Sequence, residues 1–147
     1  MKPLSLIEKA FFLKKVKIFA DLDLDLLLAV AEKLHFDEYD QNERVFALNQ
    51  AAHRMYLIVQ GSVQILDERM RPLSDLTSGD FFGDESLFNE QPRGYFAICK
   101  SDTHLLILSR SHLLSVISEC PSVAVALLQS YAQTLSCRLK KEDPARL

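Results

Sequence analysis

The 147-residue sequence predicts a single α+β domain, 1–147, in which helical segments flank an antiparallel roll or sandwich of short strands. Two patterns predict this class. Apolar residues recur at helical spacing in both terminal regions, and frequent turn signals interrupt the region between them. The composition agrees, because 48% apolar and 25% charged residues allow a buried core beneath a charged surface.

The N-terminal region, residues 1–34, is predicted to be helical. Asp21, Asp23 and Asp25 suit a helix N-terminus, where carboxylates are favoured by free amides and by the helix dipole. One apolar stripe at three- and four-residue spacing follows, made of Leu24, Leu27, Leu28, Ala31 and Leu34. An earlier short helix is predicted from the apolar residues Leu6, Ile7, Phe11 and Phe12.

The middle region, residues 35–108, is predicted to form short strands between turns. The candidate strands are His35–Tyr39, Arg44–Phe46, Arg54–Val59, Ser62–Asp67, Arg71–Leu76, Tyr95–Lys100 and His104–Ser109. All the glycines lie here, at Gly61, Gly79, Gly83 and Gly94. Glycine is favoured where the backbone needs positive φ or a close approach, so these positions predict tight turns.

The C-terminal region, residues 109–141, is predicted to form two helices. Ser109 or Ser111 suits the N-cap of the first, and Pro121 suits the start of the second. The second helix carries an apolar side made of Val123, Ala124, Leu127, Leu128, Tyr131 and Leu135. We expect this side to pack on the roll, and its apolar content also permits pairing with a second copy of the chain or with an effector protein.

The composition disfavours several classes of function. A net charge of -3 argues against a general polyanion binder, which needs a basic surface. The odd set Cys99, Cys120 and Cys137 has no metal-ligand spacing, which indicates thiols in a reducing compartment. The histidines His35, His53, His104 and His112 also lack a metal-binding pattern. We therefore predict neither a metal nor another cofactor, and no order of nucleophile and base suggests an enzyme.

Two features predict a cytoplasmic protein without membrane contact. Charged residues such as Lys2, Glu8 and Lys14 interrupt any apolar run that would resemble a signal peptide. The longest apolar stretch, Leu26–Ala31, is far too short to cross a bilayer.

Residues 79–97, GDFFGDESLFNEQPRGYFA, carry the clearest chemical signal. A glycine turn leads to Phe81-Phe82, a second glycine, a short helical turn, and then a loop ending in Arg93 and Gly94. The N-terminus of a helical turn presents free amides to an anion, and an arginine supplies a bidentate phosphate partner. A carboxylate beside the glycine suits sugar hydroxyls. These parts predict a cradle for one phosphate on a sugar.

This segment resembles the phosphate-binding cassette of the cyclic nucleotide-binding domain family, whose pattern is Phe-Gly-Glu-x-Ala-Leu, a short loop, and Pro-Arg-x-Ala-Thr/Ser. The matching residues are Phe82, Gly83, Leu87, Pro92 and Arg93. Similarity extends to Leu13-Lys-Lys-Val-Lys-Ile-Phe-Ala-Asp-Leu and to Tyr56-Leu-Ile-Val-Gln-Gly-Ser-Val. It implies a jelly-roll-like β-roll of about eight strands. Asn42 and Asn49 stand at turns where the family usually has glycine, and asparagine tolerates left-handed geometry.

The resemblance also implies site roles. The phosphate would dock on the turn from Gly83 to Leu87 and on Arg93, with the amide of Ser86 facing it and Gly94 keeping the backbone approachable. Asp84 stands where the family has the glutamate that binds the ribose, one methylene shorter. The C-terminal helices would close over the base, with Tyr131 or a neighbour as a lid.

Each of these roles has an alternative. Arg93 is otherwise a surface arginine paired with Asp84 or Glu85, and Asp84 is otherwise a helix cap. Glu85 replaces an apolar residue and is either solvent-facing or a substitute acceptor. Tyr95 and Phe96 replace small residues, and they either stack on a base or fill the pocket as core.

The predicted function is a cyclic nucleotide-binding regulatory domain that is not an enzyme. Cyclic AMP is favoured over cyclic GMP, because Phe96 replaces the family threonine linked to cyclic GMP. DNA is not an expected partner, because family activators carry a helix-turn-helix domain after the last helix and only a short tail follows here. The alternative is a degenerate domain that lost the nucleotide and acts as a protein-interaction module.

Overall fold

The computed structural model describes residues 3–133. Its helices are α1 (Leu6–Leu13), α2 (Leu24–Ala31), α3 (Arg110–Glu119) and α4 (Ser122–Gln133), with short 3-10 helices at Lys17–Phe19 and Asp84–Leu87. Its strands are β1 (His35–Tyr39), β2 (Arg44–Phe46), β3 (Arg54–Gln60), β4 (Ser62–Leu66), β5 (Pro72–Thr77), β6 (Phe81–Phe82), β7 (Phe96–Cys99) and β8 (Thr103–Ser109).

The strands form two antiparallel sheets, in the orders β1-β8-β3-β6 and β2-β7-β4-β5. The predicted α+β class and the β-roll are therefore confirmed. Asn42 and Asn49 have φ values of 71° and 67°, which confirms the left-handed turns.

The inner strands of the first sheet, β3 and β8, are buried on both faces. Alternate side chains of β3 point in opposite directions, so Tyr56 and Ile58 face the second sheet while Met55 and Leu57 face the helices. The cluster between the sheets is rich in aromatic rings, including Phe46 and Phe82. The fully buried residues under the helices are aliphatic apart from Phe19. The β-roll thus has an aromatic-rich core between its two sheets and a second core between the first sheet and the helices.

The N-terminal helices begin at side-chain caps. Ser5 and Glu8 form a reciprocal capping box at α1, and Asp23 accepts a hydrogen bond from the Leu26 amide at α2. The predicted stripe on α2 is only partly correct. Leu27 and Ala31 are buried, but Leu24 is 54% exposed because it is the first residue of the helix and lies on the side away from the core.

The strand predictions differ from the structure mainly around the cassette. β6 was not predicted, because a two-residue strand is too short to show periodicity; it pairs with Tyr56 and Leu57 of β3. Tyr95 was assigned to a strand, but β7 begins one residue later, at Phe96. This difference matters because it leaves the Tyr95 side chain free to turn towards the glycine loop.

The C-terminal helices also follow the sequence in part. Ser109 caps α3 by accepting a hydrogen bond from the His112 amide. On α4, Val123 and Leu127 are buried, whereas Leu128 is 69% exposed and does not belong to the buried side. Leu135 and Cys137 lie outside the described residues. Cys99 is buried and Cys120 half-buried, both as free thiols.

Within residues 3–133, no single helix has the length and apolar content to cross a membrane; only α3 and α4 taken together pass that test, and they meet at a 117° bend.

Candidate functional site

The turn of the cassette depends on the backbone conformation of Gly83. This glycine precedes the Asp84–Leu87 helix with a left-handed φ of 74°. A Cβ at this position would lie 2.8 Å from Nη1 of Arg93 and 3.1 Å from the carbonyl oxygen of Arg54. Both the backbone geometry and the lack of space therefore require glycine.

Arg93 is buried directly beside this glycine, with only 3% of its surface exposed. Its Nη1 donates to the Gly83 carbonyl at 3.2 Å and its Nη2 to the Arg54 carbonyl at 2.7 Å. Its Cζ lies 4.1 Å from the centre of the Phe46 ring, within cation–π distance. β2, the start of β3 and the cassette thus hold the guanidinium in place.

Arg93 has no carboxylate partner among residues 3–133, where the ion pairs are Arg71–Asp67 and Arg110–Glu90. Within the same residues, its Nε is buried without a hydrogen-bond partner. The interpretation of Arg93 as a surface arginine paired with an acidic neighbour is therefore wrong. A buried cation without a counter-ion is costly, so the site favours an anion.

The Asp84 carboxylate is held by the last described helix. Oη of Tyr131 donates to its Oδ2 at 2.7 Å, and the Tyr131 ring makes an edge contact with Phe88. Burial is the largest effect and raises the pKa of Asp84; the Tyr131 hydrogen bond lowers it, nearby Glu85 raises it, and the charge of Arg93 lowers it at longer range. Because Gly83 is the N-cap of the short helix, Asp84 is not the cap residue. The sequence placed Asp84 and Tyr131 at the same site, and the structure brings them into direct contact.

Tyr95 reaches the same loop from the other side. Its hydroxyl accepts a hydrogen bond from the Gly83 amide at 2.9 Å, and its ring centre lies 5.3 Å from that of Phe46. Burial and the carboxylate of Glu85 raise the pKa of Tyr95, which keeps the hydroxyl protonated. Glu85 itself is exposed, as one of its two interpretations predicted. Tyr95 therefore fills part of the space beside the glycine.

Phe96 does not share this position. It is half-buried, with the guanidinium of Arg44 5.5 Å from its ring centre. The neighbouring Ala97 belongs instead to the cluster between the sheets. Side chains alternate along a strand, so Phe96 faces away from the roll interior, and neither the base-stacking nor the core interpretation holds for it.

The far end of the cassette is fixed to α3. The buried Ser86 hydroxyl donates to the carbonyls of Gly83 and Arg54, at 2.7 and 2.9 Å. Arg110 donates from Nε to the Ser86 carbonyl at 2.9 Å and from Nη2 to the Ser86 and Asn89 carbonyls.

Arg110 also pairs with Glu90, at 3.4 Å. Sequence reasoning missed Arg110, because nothing at the start of α3 marks a partner for a loop twenty residues earlier.

The remaining predicted residues have simpler places. Leu87 is buried in the cluster under the helices and holds the turn on them. Gly94 is exposed, has no neighbour within 4 Å of an added Cβ, and has no left-handed φ.

Comparison with known proteins shows what the chain is similar to. The model of the cyclic nucleotide-binding domain family matches residues 36–120. The cyclic AMP receptor protein of Thermus thermophilus is 32% identical over 109 residues, which cover 71% of this chain and 49% of that protein. The potassium channel AKT2/3 of Arabidopsis thaliana is 29% identical over 123 residues, 82% of this chain and 15% of the channel. The chain therefore spans about half the length of these curated relatives or less.

Solved structures of other proteins share this fold. The N-terminal domain of a transcriptional regulator from Streptomyces coelicolor superposes with a TM-score of 0.78 at 24% identity, covering 92% of this chain and 95% of that one. The catabolite activator protein of Thermus thermophilus superposes with a TM-score of 0.72 at 27% identity, covering 88% and 61%.

Proposed function

Because the chain belongs to the cyclic nucleotide-binding domain family, we propose that it binds cyclic AMP and acts as a regulatory sensor rather than an enzyme. The observation that carries this proposal is the guanidinium of Arg93, which is buried beside the Gly83 turn without a carboxylate partner among the described residues. A cyclic phosphate supplies the missing negative charge and accepts two hydrogen bonds from the arginine fork.

The ribose is assigned to Asp84. Its carboxylate already binds one hydroxyl, that of Tyr131, so a ribose hydroxyl is a chemically equivalent replacement. Cyclic AMP is favoured because a relative that the chain resembles is named as a cyclic AMP receptor protein. The Phe96 side chain faces away from the interior and lies beside Arg44, so it does not contact the base of the nucleotide.

Binding requires two internal contacts to open. The ribose takes the place of Tyr131 on Asp84, and the phosphate approaches the Gly83 amide that Tyr95 now occupies. Since Tyr131 lies on α4, its release changes the balance between arrangements of the C-terminal helices. Because binding must break these two contacts, the apparent affinity is lower than the intrinsic affinity of a chain in which they are already open.

A second candidate function is a protein-interaction module that no longer binds nucleotide. The same two contacts favour it, because the side chains of Tyr95 and Tyr131 satisfy the polar groups that a ligand would use. The exposed side of α4, with Val125 at 55% and Leu128 at 69% exposure, then serves as a contact surface for a second copy of the chain or an effector.

Calorimetry with cyclic AMP and cyclic GMP separates the two candidates. The sensor predicts saturable binding of cyclic AMP to the parent chain and tighter binding to a Tyr95→Ala variant, in which the Gly83 amide is free. Binding to neither protein at millimolar nucleotide would contradict the sensor and favour the interaction module. Sedimentation at increasing protein concentration, with Leu128→Ser as the matched variant, tests pairing through α4.

A further inference from the structure

A cavity of about 290 Å³ lies beside Arg93, and it is separate from the cassette turn. Its walls come from β1, β2, β3 and the connection between β2 and β3, and none of residues 83–87 lines it. Arg93 is its most buried charged residue, and the Nε of this arginine has no hydrogen-bond partner in the described part of the chain.

The cavity has the charge of an anion site. Three basic residues line it, His53, Arg54 and Arg93, and no acidic residue does. Neither arginine forms an ion pair within residues 3–133. The Arg54 contact to Arg93 uses the backbone carbonyl, so it leaves the Arg54 guanidinium available to a ligand.

The other walls are largely aromatic. Tyr39, Phe46 and Tyr56 line the cavity, and the rings of Phe46 and Tyr56 also pack on each other. Burial, followed by Tyr56 and the carboxylates of Asp37 and Glu43, raises the pKa of Tyr39 to about 12, so its hydroxyl is a hydrogen-bond donor at neutral pH. Asp37 and Glu43 themselves lie outside the lining.

We propose that this cavity binds a compact organic anion, a one-ring carboxylate or phosphate ester, with its charged group on Arg54 and Arg93 and its ring against Phe46 and Tyr56. The size fits, since an apolar cavity of about 150 Å³ already accommodates benzene. This cavity and the proposed nucleotide-binding site at the cassette are lined by different residues and share only Arg93.

The proposal is tested with benzoate, phenyl phosphate and inorganic phosphate as probes, titrated into the full isotope-labelled chain and followed by NMR. Amide shifts centred on residues 50–56 are expected. Arg54→Gln is expected to weaken binding of the aromatic probes about tenfold, because a charge-assisted hydrogen bond is lost. Arg44→Gln is the matched control; it removes the same charge, does not line the cavity, and is expected to leave affinity unchanged.

Each result of the titration either assigns the charged group of the ligand or contradicts the proposal. Stronger binding of phenyl phosphate than benzoate assigns a phosphate ester, and the reverse assigns a carboxylate. The proposal is overturned by an absence of shifts at residues 50–56, by equal weakening in the two arginine variants, or by inorganic phosphate binding as tightly as phenyl phosphate. Asp84→Asn changes the proposed nucleotide-binding site but not the lining of this cavity. Loss of nucleotide binding in that variant, with unchanged benzoate binding, would therefore distinguish the two sites.

Discussion

The two ends of the cassette are each held by an arginine that binds backbone carbonyls, and the two arginines differ in their counter-ions. Arg110 binds the carbonyls of Ser86 and Asn89, pairs with Glu90, and keeps 19% of its side chain exposed. Arg93 binds the carbonyls of Gly83 and Arg54 without a carboxylate, and it is almost fully buried.

This difference separates a structural clamp from a recognition group. Arg110 has its charge partly balanced by Glu90 and partly hydrated, so it fixes the cassette to α3 at little electrostatic cost. Arg93 carries a charge that no carboxylate among the described residues contacts as an ion pair; Asp84 acts on it only through a longer-range attraction, so that charge gains from a bound anion. Similar hydrogen-bond geometry therefore supports different roles.

The largest expected effect comes from replacing Arg93. Arg93→Lys keeps the charge but loses the planar fork, so cyclic AMP affinity measured by calorimetry should fall by more than about tenfold. Arg110→Lys is the matched control and should change affinity less than Arg93→Lys. Equal losses in the two variants would show that both arginines act only by shaping the loop.

The next largest effect is on the stability of the fold, at Gly83, which Arg93 contacts. Gly83→Ala forces a side chain into left-handed backbone and against Nη1 of Arg93, and should lower the free energy of unfolding in urea by about 1–3 kcal/mol. Gly94→Ala, at an open position without positive φ, should stay within about 0.5 kcal/mol of the parent. A neutral Gly83→Ala would contradict the tight contact between the glycine and Arg93.

A smaller effect is expected at the contact between α4 and the cassette. Tyr131→Phe removes the hydrogen bond to Asp84 while keeping the ring against Phe88, and should lower the unfolding free energy by about 1 kcal/mol. The same variant should bind cyclic AMP more tightly, because no hydroxyl competes with the ribose. Weaker nucleotide binding would mean that Tyr131 assists the ligand instead.

The smallest effect concerns the pH dependence of stability. The pKa of Asp84 in the folded state is raised above its usual 3.8, chiefly by burial. Its contribution to stability is therefore complete below about 3.8 and is lost as the pH rises through the raised value. Asp84→Asn keeps an acceptor for Tyr131 without the charge, so its unfolding free energy relative to the parent, measured in urea at a series of pH values, should rise as the pH increases above about 3.8. A relative decrease over that range would show that the Asp84 pKa is lowered.

The sequence by itself determined the periodic elements and the turn chemistry. Asp23 caps α2 and Ser109 caps α3, each one of the candidates that the sequence offered, and Asn42 and Asn49 are left-handed as predicted. These features depend on local rules that neighbouring residues fix. The cassette was recognisable for the same reason, since its pattern lies within one short segment.

Only the tertiary structure decided which partners these residues meet. The burial of Arg93 under Phe46, the contact of Tyr131 with Asp84 and the clamp by Arg110 join residues that are far apart in the chain. The direction of Tyr95 depended on β7 beginning one residue late, which no periodicity over so few residues reveals. Local propensity sets the backbone of each segment, but the burial and charge balance of a side chain depend on packing between segments, which exists only in the folded chain.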